Sequence, residues 1–405
     1  MLSLPLAPYR VLDLSRQIAG PSCSMMLGDL GAEVIKVERP GSGDDIRNYG
    51  PPFLKDRLGQ DKNVSAWHLW ANRNKKGITV DISKSEGQDI IRRLALKSDV
   101  VLENYKVGDL ARYGLDEKSL RKLKPDLIYC SVTAYGQTGP DAARPGLDVL
   151  FQAASGFMSV SGEPNGPSTR AGFPLSDLLT GLYSAIAVIT ALFYRVAHHG
   201  PGQHIDMALM DASIAAMSNR AQSYLMDGKD QWRQGNLTPN ASPSGVYPTA
   251  SGEIAISAVT DEQYAVVCKA IGRSDLAEDP RFKLRAERIA NMWTLVEILS
   301  DVFKKRPAKE WVDLLKQAGA GAAVVNTVAQ AFAEEQVQHR QMVVEVEHPD
   351  AGTIKLIRNP IRFSDTPLDR YEAPPDLGQH TDEILVNLLG LSPDEVARLR
   401  KSKIV

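Results

Sequence analysis

From Arg10 onward, short runs rich in β-branched residues alternate with longer stretches whose apolar residues recur at helical spacing, and this alternation limits the fold more than any other feature. Strands joined by crossovers a dozen or more residues long must lie parallel, because each crossover returns the chain to the same end of the sheet. The predicted strands are Arg10–Leu14, Glu33–Glu38, Gly77–Ile82, Asp99–Glu103 and Leu127–Val132. Between them, Ser22–Leu30 carries Met25, Met26 and Leu30 at helical spacing, and Ser85–Ala95 gathers Ile90, Ile91 and Leu94 on one face. The pattern predicts an α/β fold built on a doubly wound, mostly parallel, Rossmann-like sheet.

Residues 1–225 are read as the first part of this large domain, 226–330 as a smaller α+β domain and 331–405 as a C-terminal segment returning to the large domain. The Asn-, Pro- and Ser-rich loop Gly235–Gly245 marks the boundary, and a hairpin is expected over Val246–Ala258. Pro360–His380, rich in Pro and Asp, is expected to run over the surface of another part of the fold before a last helix at Asp382–Leu389.

With 43% hydrophobic and 24% charged residues over 405 positions, the chain has the balance of a soluble globular protein. Lys+Arg number 47 against Asp+Glu 49, so no global field draws it to nucleic acid or an anionic membrane, and an anionic ligand must be held by local groups. Three cysteines without a C-x-x-C pair, and Met1–Tyr9 without a basic, apolar leader, point to a cytoplasmic protein. Leu182–Tyr194, the most apolar stretch, is shorter than the roughly 18 residues of a membrane span and reads as a buried core helix. No H-E-x-x-H or similar ligand spacing supports a metal, and no intact G-x-S-x-G supports a serine hydrolase.

Three local features carry chemistry. Val11–Glu38 resembles a dinucleotide-binding unit, but its turn, Gln17 to Ser22, holds one glycine where the fingerprint needs three, which favours an ordinary βαβ unit over NAD binding. Arg39, Asn104 and Tyr105 follow strand ends, where parallel sheets bind ligands, with Arg73, Lys75, Lys76 and Arg112 nearby; the alternative is a set of solvated turns. Asp177, ahead of the apolar helix, is either a capping carboxylate or a nucleophile; at a reference pKa of about 3.9 it would be ionised at pH 7 without a base.

These blocks in order resemble the family III CoA-transferases, with their relatives among acyl-CoA racemases, formyl-CoA:oxalate transferases and carnitine CoA-transferases. The resemblance is carried by Arg10–Ser15, Ala19-Gly20-Pro21, Leu30–Glu38, Asn72–Lys76, Glu103-Asn104-Tyr105, Tyr135–Pro140, Ser161–Pro164, Ser176–Gly181 and Leu377–Thr381. It implies that Asp177 attacks the thioester of an acyl-CoA, forming a mixed anhydride and then an aspartyl-CoA thioester. Further implied contacts with the CoA substrate are Ile18 and Ala19 near the thioester, Arg39 after the second strand's glutamate, Val80, Asp81, Ile82 and Ser83 by the adenine, Asn104, Tyr105 and Arg112 flanking the pantetheine and phosphates, and Lys106. Asp148 matches an acidic residue close to the nucleophile. CoA thioesters are then substrates, with no cofactor held permanently.

Two departures narrow the branch. Racemases carry a His-Asp pair where this chain has Leu147-Asp148, so the base that would lift an α-proton is missing. The glycine-rich loop of the formyl-CoA transferases is reduced to Gly245 within Asn236–Gly245, against an oxalate enzyme. The blocks Gly43–Arg47, Gly50–Phe53 and Asn72–Lys76 are most similar to transferases acting on dicarboxylate CoA esters such as succinyl-CoA, and Arg16, then Arg47, is the candidate for the acceptor's second carboxylate. The resemblance also implies an interlocked-ring homodimer, with the Pro-rich tail buried along the second chain. An acyl-CoA racemase or a non-catalytic acyl-CoA-binding protein are the alternatives.

Overall fold

The computed structural model describes residues 3–238 and 240–405; Met1 and Leu2 of the N-terminal stretch, and Pro239 of the boundary loop, lie outside them. The chain divides into two compact units, one made of Met1–Phe157, Ala171–Met226 and Arg340–Val405, the other of Met158–Arg170 and Asp227–His339.

In chain order the strands of the first unit begin β1 (Arg10–Asp13), β2 (Glu33–Glu38), β3 (Phe53–Lys55), β4 (Asp61–Ser65), β5 (Lys75–Thr79), β6 (Val100–Glu103), β7 (Ile128–Thr133) and β8 (His204–Ala208). Six of them form a sheet in the order β5-β2-β1-β6-β7-β8, with every neighbouring pair parallel, while β3 and β4 make a separate hairpin. The order reverses between β1 and β6, so a crevice opens outside the carboxyl ends of those two strands. The strands read as near-continuous apolar runs because helices cover both faces.

The first helices are α1 (Ala19–Asp29), α2 (Ala66–Ala71), α3 (Ser85–Leu96), α4 (Glu117–Leu123), α5 (Asp148–Ala154), α6 (Phe157–Val160) and α7 (Leu175–His198). In α3, Gly87, Ile90, Ile91, Leu94 and Ala95 are buried, one stripe of an amphipathic helix laid on the sheet. The stretch expected to be a buried core helix belongs to α7, which at 24 residues is long and apolar enough to cross a membrane by length and composition. It is only half buried. Thr180, Gly181, Ser184, Ala185, Val188, Ala191 and Leu192 face the protein, whereas Leu182, Ile186 and Phe193 are exposed.

Among the elements that the sequence reading missed in part or whole are β5, β8 and the C-terminal helices. β5 starts at Lys75 rather than Gly77, because Lys75 is buried as a strand residue despite its charge. β8 was not foreseen, since His204 and Asp206 break its apolar pattern. The last helix is two, Thr381–Asn387 and Pro393–Lys401, and their Ile384, Leu385, Val396 and Leu399 share a core with Leu12, Ile35 and Ile78.

The irregular tail finds partners within its own unit. Asn74 N donates to Glu372 O at 3.2 Å, His380 N to Gly77 O at 2.9 Å and an Arg47 guanidinium nitrogen to Pro375 O at 3.1 Å, so residues 372–380 cover β5, the edge strand. The second unit carries a three-stranded antiparallel sheet in the order Gly321–Val324, Glu253–Ser257, Ser244–Pro248. Its core includes Tyr247, Tyr264, Phe303 and Trp311, and Arg288 is buried there over the Tyr264 ring.

Beneath the carboxyl edge of β1, β2 and β5 lies a set of buried ion pairs. Lys36 Nζ meets Asp44 Oδ2 at 3.0 Å and also donates to Ser15 O; Lys75 Nζ meets Asp13 Oδ2 at 3.2 Å; Arg47 grips Glu38 through two bonds of 2.6 and 2.7 Å. Burial pushes Asp13 up, but Lys75, Lys36 and two serine hydroxyls outweigh it and hold its pKa below the ordinary value. Burial brings Lys75 down to about 8 against the pull of Asp13. Removing one member strands a buried charge, so Lys36→Met is expected to cost about 3–5 kcal/mol of unfolding free energy. Lys55→Met, which breaks the exposed Lys55–Asp61 pair, should cost less than about 1 kcal/mol. Urea titrations of the two variants check this, and equal losses would show that the buried pair has no special weight.

Candidate active site

The crevice predicted by the strand order is occupied by a cavity of about 890 Å³. It is lined by Leu14 and Arg16 after β1, Arg39 after β2, the Val80–Lys84 loop after β5 and Tyr105 after β6. Arg112 and Tyr113 close one side, while Arg400, Lys403 and Val405 add a wall from the far end of the sequence.

Across the switch point, Arg16 N donates to Asn104 Oδ1 at 2.8 Å and Asn104 Nδ2 returns a bond to Arg16 O at 2.7 Å. Asn104 thus works as a clasp between the two strand ends. The next residue, Gln17, has φ 67, and its N–H donates to both Asp44 oxygens at 3.1 and 3.2 Å. Asp44, itself anchored by Lys36, therefore shapes the turn that delivers Ile18 and Ala19 to the start of α1. The Arg16 guanidinium lies 5.0 Å over the Tyr105 ring, and its Nε is buried without a hydrogen-bond partner.

Both α1 and α7 lead the chain back between parallel strands, so both run against the strands and begin at the carboxyl edge. They approach closely at Gly181, where an added Cβ would stand 2.0 Å from Ser22 Oγ and 2.9 Å from Ala19 O. Only glycine fits. Asp177 lies one turn earlier on the same face of α7.

Asp148, in the first turn of α5, accepts from Ser176 N at 2.8 Å and Asp177 N at 3.4 Å through one oxygen and from Gln152 Nε2 at 2.6 Å through the other. It satisfies the free N–H groups at the start of α7, where Pro174 offers no side-chain cap. Asp177 was expected to be ionised at neutral pH; instead burial, reinforced by the Asp148 charge, pushes its pKa up to about 7. The carboxylate is thus held largely desolvated, with its ionised form disfavoured.

Of the residues named from sequence, Arg16, Arg39, Val80, Asp81, Ile82, Ser83, Tyr105 and Arg112 come together in the cavity wall. Ile18, Ala19, Asn104, Lys106, Asp148 and Asp177 are not part of that lining, and Ile18 and Ala19 are buried. Arg47 is corrected: it is 3% exposed, paired with Glu38 through Nε and one terminal nitrogen, and absent from the cavity lining, so it is committed within the fold rather than presented to an acceptor carboxylate. Sequence reasoning missed Lys84, Arg400 and Lys403; the basic run from Arg398 to Lys403 was the available signal. It also missed Glu103, pushed up to about 7 by burial, whose Oε2 accepts from Tyr105 N at 2.8 Å and steadies that ring's backbone.

Comparison with known proteins agrees with this geometry. The model of CoA-transferase family III matches residues 6–381. The succinate–glutarate CoA-transferase of Agrobacterium fabrum is 41% identical over 385 residues, 95% of this chain and 96% of that protein. The succinyl-CoA:glutarate CoA-transferase of Homo sapiens is 38% identical over 401 residues, 99% and 90% of the two chains. The crystal structure of a CAIB/BAIF family protein from Brucella suis superposes with a TM-score of 0.86 at 38% identity, covering 96% of this chain and 100% of that one.

Carbon-13 NMR of aspartate-labelled protein is expected to show one carboxyl titrating near pH 7, absent in Asp177→Asn and moved to lower pH in Asp148→Asn. Because the folded pKa exceeds the unfolded one, ionising Asp177 costs stability, a penalty that grows between about pH 4 and 7 and is complete above. Asp177→Asn should therefore melt higher than wild type at pH 8, the difference shrinking toward pH 4. No aspartate titrating above pH 5 would refute the assignment.

Proposed function

The chain belongs to CoA-transferase family III, and from that premise we propose that it moves CoA from succinyl-CoA to a second dicarboxylic acid through covalent intermediates on Asp177. The observation that carries the reading is a desolvated carboxylate in the first turn of α7, the helix that packs at Gly181 on the start of α1, which follows the turn leading out of a cation-lined cavity. The named relatives act on succinate and glutarate, both dicarboxylates.

In this scheme the nucleotide of the acyl-CoA lies in the cavity, with adenine by Val80–Ser83 and the phosphates toward Arg39 and Arg112. The pantetheine arm passes Tyr105 and Asn104 to bring its thioester to Asp177. An Asp177 oxygen attacks the acyl carbonyl and CoA thiolate leaves, giving a mixed anhydride. The thiolate then attacks the aspartyl carbonyl, expelling the donor acid and leaving an aspartyl-CoA thioester. The acceptor carboxylate repeats the two steps in reverse. One thioester replaces another, so little net free energy is needed and the protein must chiefly shield the anhydrides from water.

Arg16 is proposed to receive the acceptor's remaining carboxylate, since its guanidinium makes no ion pair among the described residues and its fork matches a carboxylate. The exposed apolar face of α7, with Leu182, Ile186 and Phe193, supports burial against a second copy in a homodimer. The enzyme is read as cytoplasmic, with no permanently bound cofactor and without racemase activity.

Two assays follow. Labelled glutarate mixed with succinyl-CoA should yield labelled glutaryl-CoA with wild type and none with Asp177→Asn, and hydroxylamine should trap an adduct on Asp177 alone; full turnover by Asp177→Asn would exclude the covalent route. Arg16→Ala should lower kcat/KM for the dicarboxylate about a hundredfold, chiefly through KM, as expected for a desolvated carboxylate left without its partner. Arg16→Lys should lose far less, and equal use of butyrate and succinate by wild type would show that no clamp exists.

A further inference from the structure

The cavity has a wall that the sheet does not supply. It comes from the end of the helix Pro393–Lys401 and the residues after it, pinned against the loop that follows β5. Asp81 N donates to Ile404 O at 2.7 Å, Lys84 Nζ donates to Ser402 O at 2.9 Å, and Ile404 and Val405 are buried in the core that holds Leu14, Val37 and Val80. Lys403 sits between these two anchors.

The helix stops in a Schellman closure: Ile404 N donates to Leu399 O at 2.9 Å and Lys403 N to Arg400 O at 3.0 Å, with Leu399 and Ile404 in the same core. In this closure the residue at 403 must be left-handed, and Lys403 has φ 53. Glycine is the usual occupant, because a β-carbon there crowds the backbone. A lysine therefore holds a position where its side chain costs stability, and that side chain lines the cavity while making no ion pair among the described residues. Arg400, the other cation of this wall, is engaged with Asp382.

We propose that Lys403 is a specificity-determining residue that receives the ribose 3′-phosphate of the CoA substrate. The assignment rests on the reading of Val80–Ser83 as the adenine side of the site. With Arg39 and Arg112 on the strand-end side taking the diphosphate, the 3′-phosphate is the anion left for the opposite side of the adenine loop, and a compact ammonium suits a phosphate there.

Calorimetric titration of the full chain with CoA and with 3′-dephospho-CoA tests it, using Lys403→Gly, a change that relieves the backbone rather than disturbing it. Wild type should favour CoA by about tenfold or more, the scale of one charge-assisted bond. Lys403→Gly should weaken CoA about tenfold, leave dephospho-CoA unchanged and melt no lower than wild type, and Lys403→Arg should keep the preference. The preference should also fade in high salt, as an exposed charge pair does. An undiminished preference in Lys403→Gly, or equal weakening of both ligands, would overturn the assignment alone. Failure of wild type to bind either ligand would overturn the CoA reading and this assignment with it.

Discussion

The buried pairing of Lys36 with Asp44 is the contact on which the site is built. Asp44 bonds the N–H of Gln17 in a left-handed turn, and Lys36 ties the same turn through Ser15 O. Neither residue touches the cavity through an unpaired charge. Their effect is to fix the backbone between β1 and α1, on which Arg16, Ile18 and Ala19 are carried. Buried pairs of this kind contribute little net stability when complete and cost much when broken, so what they supply is position.

The same unit holds carboxylates for opposite ends. Asp13 and Glu38 are kept below the ordinary range by cations that outweigh their burial. Asp177 has no cation to offset its burial, and Asp148 adds a like charge. An ionised Asp177 is poorly solvated, and less of it is ionised at neutral pH than of an exposed aspartate. Asp148 serves both sides of this balance, since it also accepts the Ser176 N–H that orders the start of the helix.

The parallel sheet was legible because its strands are apolar on both faces and its crossovers have helical period. The switch point could be read too, as Arg39, Asn104 and Tyr105 follow strand ends. What could not be read depends on neighbours distant in sequence. Lys75 looks like a turn residue until Asp13, Pro21 O and Asn72 surround it. Arg47 resembles a free arginine until Glu38 takes its fork, and Asp177 has an ordinary pKa until α7 is packed. The wall carrying Lys403 shows in sequence only as a basic run, because nothing local indicates which distant loop a helix end will dock upon.

The strap along β5 has a consequence for biosynthesis. Gly77 N donates to His380 Nδ1, a contact spanning 303 positions, and Thr79 N donates to Thr381 Oγ1 across 302. A ribosome therefore exposes this outer strand for most of translation before the segment that covers it emerges. During that interval the strand presents unpaired backbone groups, the surface through which nascent chains join wrongly to one another. Lys76, a half-exposed charge near the start of the strand, opposes such joining, as charge on an edge strand does.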